Sequence, residues 1–268
     1  MIHATAIVDS HAELDPSVEV GPYAVIGGNV KAGPGCIIGP HTVVTGHTTL
    51  GAKVQIFQGA SVGEVPQDLK YEGEPGCLEI GDGTKIRECV TLHIGTRDGG
   101  MLTRVGEGCL LMAYSHVAHD CRIGNRVILA NCSALAGHIE VGDNAIISGH
   151  VAVHQFSRIG AHAFLSGGSV VGQDVMPFCI TQGDRAKLVG INAIGLRRHG
   201  FASERVRAIR AAFRTIFREG RQLDQALALL GERYPDQADV QQMISFARGS
   251  KRGLAHARRG EADVESAD

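Results

Sequence analysis

The sequence predicts an all-β parallel β-helix of six-residue repeats, followed by a small C-terminal α-helical domain. Three observations predict it. Aliphatic residues recur at every sixth position: Val8, Leu14, Val20, Ile26 and onward to Val62, then Ile80, Ile86 and Leu92, then Val105, Leu111, Val117 and without a slip to Val171. The next residue is often glycine, as at Gly21, Gly33, Gly39 and Gly124, and the fourth is usually small or β-branched, as at Ala24, Thr42, Ser115 and Ser133. Past Val175 the apolar spacing changes to three and four. A helix needs that latter spacing throughout and a plain strand alternates by two, so a long run of sixes reads as a hexapeptide-repeat solenoid.

Each hexapeptide makes one short strand and one corner. The aliphatic residue points inward, and glycine serves where the corner needs unusual torsions or close approach. In these repeats the chain resembles the hexapeptide-repeat acyltransferases. That resemblance, not the periodicity, implies three hexapeptides per coil, so that residues eighteen apart stack. It also implies left-handed winding, against the usual crossover rule. Residues 1–185 are accordingly expected to form a left-handed parallel β-helix with two inserted loops, 63–79 and 96–104. Residues 186–268 are expected to form a C-terminal α-helical domain with a disordered tail.

The first insert, with Pro66, Gly73 and Pro75 among charges, has loop composition, and the aliphatic clock resumes at Ile80, one whole coil of sequence after Val62. The second, around Thr96-Arg97-Asp98-Gly99-Gly100, shifts the clock by seven extra residues. Long loops on a rigid solenoid are expected to be functional. Further on, Ser203 is expected to cap a helix with Val206, Ile209, Phe213, Ile216 and Phe217 on one stripe and Gly220 as its stop. Leu223, Leu227 and Leu230 suggest a second helix ending near Gly231, and Val240, Met243, Ile244 and Phe246 a third. The charged tail from about Lys251 is expected to fray. These helices are expected to cover the open end of the solenoid. Arg205, Arg207, Arg210, Arg214, Arg218 and Arg221 crowd the first helix, either as a solvated face or as a docking surface for an acidic partner.

The chain has 268 residues with aromatics at 4% and no Trp, which suits a narrow core of Val, Ile, Leu and Ala. Its formal net charge of −2 gives no field for nucleic acid. The N-terminal residues enter the repeat without a basic region, and no apolar run reaches the roughly 20 residues of a membrane span, so a cytoplasmic protein is expected. The 7 cysteines form no C-x-x-C pair. Cys36, Cys109 and Cys121 fall on the small-residue position, which reads as reduced, inward-facing thiols.

Stacking at eighteen gathers His116, His119, His138, His154 and Gln155 on one edge of three coils, about 4.8 Å apart per coil. On residue chemistry alone, imidazoles so placed serve as a general base near neutral pH or bind zinc.

The motifs around this edge are more specific than the repeat. They are Gly63-Glu64, Gln67-Asp68-Leu69-Lys70-Tyr71, Thr91-Leu92-His93-Ile94-Gly95-Thr96, Ala118-His119-Asp120-Cys121, Ala136-Gly137-His138, Val153-His154-Gln155-Phe156 and Gly195-Leu196-Arg197-Arg198-His199-Gly200-Phe201. In these, over nearly the whole chain, the sequence resembles the UDP-N-acetylglucosamine O-acyltransferases, which open lipid A biosynthesis. The resemblance implies transfer of a 3-hydroxyacyl chain from acyl carrier protein to the 3-hydroxyl of UDP-N-acetylglucosamine, by a homotrimer with sites between subunits and with no metal or cofactor. It implies His119 as general base, Asp120 as its orienting partner and the Gly137 N–H as oxyanion donor. Asp68, Lys70, His93, His116, His138, His154, Gln155, Asn192 and Arg198 would contact substrate, and Gly167 would limit acyl length. Ile94 stands where the family commonly has Arg, and Arg185-Ala186-Lys187-Leu188 also departs from the family forms.

Three other readings are weighed. The sibling N-acyltransferase of the same pathway has an added N-terminal nucleotide-binding domain, whereas this repeat starts at Val8. A zinc β-helix like the γ-class carbonic anhydrases would use three of the histidines. A silent scaffold would leave the histidine edge idle.

Overall fold

A computed structural model describes residues 1–258. Three parallel sheets run the length of the solenoid, and successive strands pass to each in turn. The first sheet holds nine strands from Ile7–Val8 to Val170–Val171, and the second holds eight from Glu13–Leu14 to Arg158–Ile159. The third has ten, from Glu19–Val20 to Lys187–Ile191. Most strands are two residues long: the first side chain faces out and the second, the aliphatic of the repeat, is buried, as in Val25–Ile26 and Val117's strand His116–Val117. Fully burying one such side chain stabilises by about 1.5–3 kcal/mol. Repeated at every corner, this burial is the main force holding coil to coil.

Register confirms eighteen residues per coil, with Ile7 beside Val25, Ile26 beside Val44 and Val117 beside Leu135. The inserts show as longer steps. Val62 pairs Leu92 and Leu50 pairs Ile80, each thirty apart, so the first loop adds twelve residues. Ile80 lies not a coil beyond Val62 but on the next face of the same coil. Leu92 pairs Val117, twenty-five apart, so the second loop adds seven, as expected.

Four of the glycines that follow the aliphatic residue serve close approach. Gly21, Gly39, Gly106 and Gly124 have no positive φ; a Cβ there would fall 2.4–2.9 Å from atoms of the next coil. The left-handed torsion sits two residues later, at glycines such as Gly35 and Gly108 but also at Tyr114 (φ 62°), Asp120 (62°), Arg126 (54°), Cys132 (59°) and His138 (61°). Such torsions cost each non-glycine residue a little. The stacked coils over-determine them.

The repeat outlasts Val175. Cys179–Gln182 adds one more parallel strand to the third sheet, and Lys187–Ile191, expected to belong to the helical part, pairs back on it antiparallel. Four helices follow: α1 (Ala193–Arg198), α2 (Ser203–Phe217), α3 (Leu223–Arg233) and α4 (Ala238–Arg248). The expected stripe of α2 is buried at Val206, Ile209, Phe213 and Ile216, and Gly220 (φ 67°) follows the helix end. Ser203 does not cap it. It is the first helical residue, after Ala202 at the cap position, and no side chain satisfies that end. α3 passes Gly231 and ends at Arg233.

The segment from Lys251 is not frayed as far as residue 258. Leu254 bridges Asp174, Ala257 bridges Leu188, and Ala255 is buried. The buried Asp174 carboxylate accepts from Ser250 Oγ (2.7 Å) and Arg158 N–H (2.9 Å), so this segment seals the last coil. Residues 259–268, where a disordered tail is also expected, lie outside the described residues. All seven cysteines are free, but Cys132 is exposed and Cys77 and Cys89 are half-buried, so only four face inward. Burial pushes the Cys121 thiol up to about 12. Among the described residues no helix is long and apolar enough to cross a membrane.

Candidate active site

Both inserts and the histidines leave the solenoid at one edge, where the first sheet hands over to the second. This follows from chain order. Val62, Leu92, Val117, Leu135 and Val153 all lie in the first sheet, and Ile80, Val105, Ile123, Val141 and Ile159 in the second. The two inserts also touch each other: Arg97 N–H donates to Glu74 Oε1 (3.1 Å), and Gly76 has no room for a Cβ against Gly95.

Rings climb this edge in order. His93 meets His116 edge-on at 4.9 Å, His119 meets His138 edge-on at 5.0 Å, and His138 stacks on Phe156 at 4.4 Å. Thr91 Oγ1 fixes His116 Nδ1 at 2.7 Å. Burial, then the neighbouring His116 and His119, lowers His93 to about 4, and its Nδ1 has no partner. It is a neutral ring beneath the cluster. Burial lowers His116 too, and lowers His138 against the pull of Asp120.

His119 is at the centre. Far from lying on an open surface, it is only 9% exposed. Its Nδ1 lies 2.7 Å from Asp120 Oδ2, while Nε2 lies 3.8 Å from Asp68 Oδ2 on the first insert. Asp120 is 4% exposed. Burial alone would raise its carboxyl, but hydrogen bonds from His119 and from Thr96 outweigh that and hold it below its usual range. An ionised Asp120 must accept, so His119 carries its proton on Nδ1 and presents a bare Nε2 to the edge.

Gly137 explains where the ring lies. A Cβ at Gly137 would sit 2.6–2.7 Å from His119 Cε1 and Nε2, so the imidazole rests flat against this backbone. The Gly137 N–H has no acceptor among the described residues. A basic nitrogen and a spare amide donor thus stand side by side.

His154 and Gln155 share the edge one coil further on and are exposed; His154 Nδ1 contacts only the Gln155 carbonyl (3.1 Å). Lys70 is exposed and lies within electrostatic reach of His138. Three expected site residues are not brought here. Asn192 caps α1, its Oδ1 accepting from Gly195 N–H and its Nδ2 donating to the His162 carbonyl at a different corner. Arg198 is exposed at the end of α1, and Gly167 is exposed on the edge between the third and first sheets. Sequence reasoning missed Phe156 and Thr91 as ring partners. Phe156 stands eighteen past His138, so the stacking rule would have found it. It also missed Thr96 and Thr103, which lie in an insert with no period to place them.

His119, Asp120 and His138 offer ligand atoms within 4.8 Å of one another. In that cluster Asp120 Oδ2 already takes two hydrogen bonds, from Thr96 Oγ1 (2.6 Å) and His119. A cation bound through His119 Nδ1 and Asp120 Oδ2 would displace the proton that the two share. The donor set therefore suits an acid–base pair better than a metal.

Residues 102–137 match the bacterial transferase hexapeptide (six repeats), and residues 174–255 match the family described as Udp N-acetylglucosamine O-acyltransferase, domain 2. The acyl-[acyl-carrier-protein]–UDP-N-acetylglucosamine O-acyltransferase of Halorhodospira halophila is 51% identical, over 94% of this chain and 98% of its own. This chain belongs to that acyltransferase family. The relative of the same description in Alkalilimnicola ehrlichii is 50% identical over the same shares. Solved UDP-N-acetylglucosamine acyltransferases superpose closely. That of Francisella novicida gives a TM-score of 0.94 at 35% identity, covering 97% of this chain and 95% of its own. That of Campylobacter jejuni gives 0.92 at 36%, covering 96% and 100%. The solenoid of this acyltransferase is the left-handed parallel β-helix that the resemblance implied.

Proposed function

We propose that the enzyme transfers a 3-hydroxyacyl chain from acyl carrier protein to the 3-hydroxyl of UDP-N-acetylglucosamine, the first step of lipid A biosynthesis, in the cytoplasm. The observation that carries the chemistry is His119 lying on Gly137 with Nδ1 on a buried carboxylate. His119 Nε2 takes the proton of the sugar 3-hydroxyl as that oxygen attacks the thioester carbonyl carbon. The carbonyl π electrons move to oxygen, and the Gly137 N–H donates to the oxyanion. Asp120 remains ionised and balances the imidazolium. The intermediate then expels the carrier thiolate, His119 returns its proton to sulfur, and the ester and free thiol leave. Asp68 and Lys70 border the base on the sugar side.

In the reading proposed here the enzyme acts as a homotrimer. Outward positions of the second sheet are charged: Glu13, Lys31, Glu79, Arg104, Glu140 and Arg158. Those of the first are mostly apolar or small, with Ile7 66% and Val170 49% exposed, and those of the third include Ile37, Leu110, Ile128, Ile146 and Phe164. Two apolar faces and one charged face suit a closed ring in which each copy contributes both. Such a ring brings the third-sheet side of one copy, with Gly167, Asn192 and Arg198, against the histidine edge of the next.

The direct test is purified protein with UDP-N-acetylglucosamine and 3-hydroxyacyl carrier protein, with and without a chelator, and mass spectrometry of the product. An O-acylated sugar nucleotide, formed equally with chelator present, is expected. Stoichiometric zinc whose removal abolishes activity would replace the base mechanism with a metal one.

Arg205 of α2 is fixed bidentate on Asp239 (2.8 Å twice), Arg207 of α2 pairs Glu204, and Arg221, past the end of α2, pairs Glu219. Arg214 is exposed and Arg210 half-buried. Arg210→Glu with Arg214→Glu is expected to raise KM for the acidic carrier substrate about tenfold at low salt. The wild-type KM should itself rise with salt, because exposed charges are screened beyond about 8 Å. Identical low-salt kinetics for the two proteins would remove this surface from carrier recognition.

A further inference from the structure

The second insert interrupts an otherwise regular coil by seven residues, and its contacts converge on one carboxylate. Thr96 N–H donates to Asp120 Oδ1 at 2.8 Å, and Thr96 Oγ1 donates to Asp120 Oδ2 at 2.6 Å, the oxygen that also accepts from His119. Asp120 N–H donates to Thr103 Oγ1 at 2.7 Å. Gly99 lies directly on the carboxylate, since a Cβ there would stand 1.8 Å from Asp120 Cγ. Gly100 (φ 85°) closes the turn behind it. The insert is thus a cover that removes Asp120 from water and replaces that water with two donors of fixed direction.

We propose that Thr96 is a positioning residue for the His119–Asp120 pair, its hydroxyl and N–H holding the carboxylate so that His119 presents Nε2 to the reacting hydroxyl. The inference rests on His119 acting as the base. A buried carboxylate with too few donors is free to turn toward another partner, and the Nδ1–H tautomer is then lost. Thr96 is 5% exposed, its N–H and hydroxyl donate to Asp120 and its carbonyl accepts from Met101 N–H (2.8 Å), so all three polar groups are engaged within the protein. The other titratable groups facing the pair are His138 (3.8 Å from Asp120 Oδ2), Asp68 (3.8 Å from His119 Nε2), and His93 and His116 below, with Lys70 beyond His138.

The experiment compares Thr96→Val, Thr96→Ser and His119→Gln with wild type, measuring kcat, KM for UDP-N-acetylglucosamine and the pH profile of kcat/KM. Thr96→Val keeps the N–H and the shape but removes the hydroxyl. Its kcat is expected to fall about 10–100-fold with KM within about twofold. Its acid limb should move to higher pH. With one donor fewer, Asp120 Oδ2 holds more negative charge against His119, which raises the imidazole pKa, so a higher pH is needed to free the base. Thr96→Ser should restore both rate and limb. If valine does not fold, Thr96→Ala carries the same expectations. Wild-type kcat and limb in the hydroxyl-free variants would overturn the proposal, as would valine and serine variants equally slow with an unmoved limb. Turnover retained by His119→Gln would instead remove the base itself, and the inference with it.

Discussion

His119→Ala is expected to lower kcat by about 10²–10⁴-fold, the range that a positioned general base contributes. The variant keeps the fold, because the ring lies outside the stacked aliphatic column that carries the solenoid. It does not keep full stability. His119 is buried and donates to the Asp120 carboxylate, so its loss leaves a buried acceptor with fewer donors, at a cost of about 1–3 kcal/mol. Thr96 still supplies two donors, which limits that cost. The measurement is single-turnover acyl transfer alongside thermal unfolding and the oligomeric state in solution. A variant that retained most of its kcat would show that the proton leaves by another route.

Gly167→Met is expected to shift the preferred acyl donor to shorter chains while leaving transfer intact. Gly167 is exposed, and a Cβ there would lie 3.5 Å from the Gly149 carbonyl, so the side chain enters open space without strain. On its own chain it is on a different edge from His119. In the proposed trimer a neighbouring copy brings that edge to the acyl groove. Each buried methylene excluded from the groove forfeits about 0.8 kcal/mol, close to fourfold in binding. Losing four would lower kcat/KM for the long donor by about 200-fold relative to the short one. The comparison is kcat/KM for short and long 3-hydroxyacyl donors in both proteins. An unchanged ratio would place the end of the chain elsewhere and would leave Gly167 outside the groove.

The histidine edge was legible because a period read in the sequence and a coil length implied by the resemblance together generate it. The repeat is six residues and the coil eighteen, so His116, His119, His138 and His154 fall together once the coil is counted. The same count places Phe156 on His138. The count says nothing about torsions: the left-handed corner residues are Tyr, Asp, Arg, Cys and His as often as glycine, and only the stacked backbone holds them there. Nor does it reveal that Asn192 spends its side chain capping α1, or that the segment past Lys251 pairs with the last coil.

The sequence by itself therefore determined the strands, the inward column, the edge that carries the chemistry and the family. The strands, the column and the edge depend on residues at fixed separations along one chain, where a periodic side-chain pattern leaves one way to bury the apolar set, and the family depends on motifs that follow one another in order. The tertiary structure decided how the edge is made reactive. It buries His119 against Gly137, covers Asp120 with the second insert and sets Asp68 across from Nε2. Those contacts join segments whose separations follow no period, so they exist only once the coils have stacked and the two inserts have closed over them.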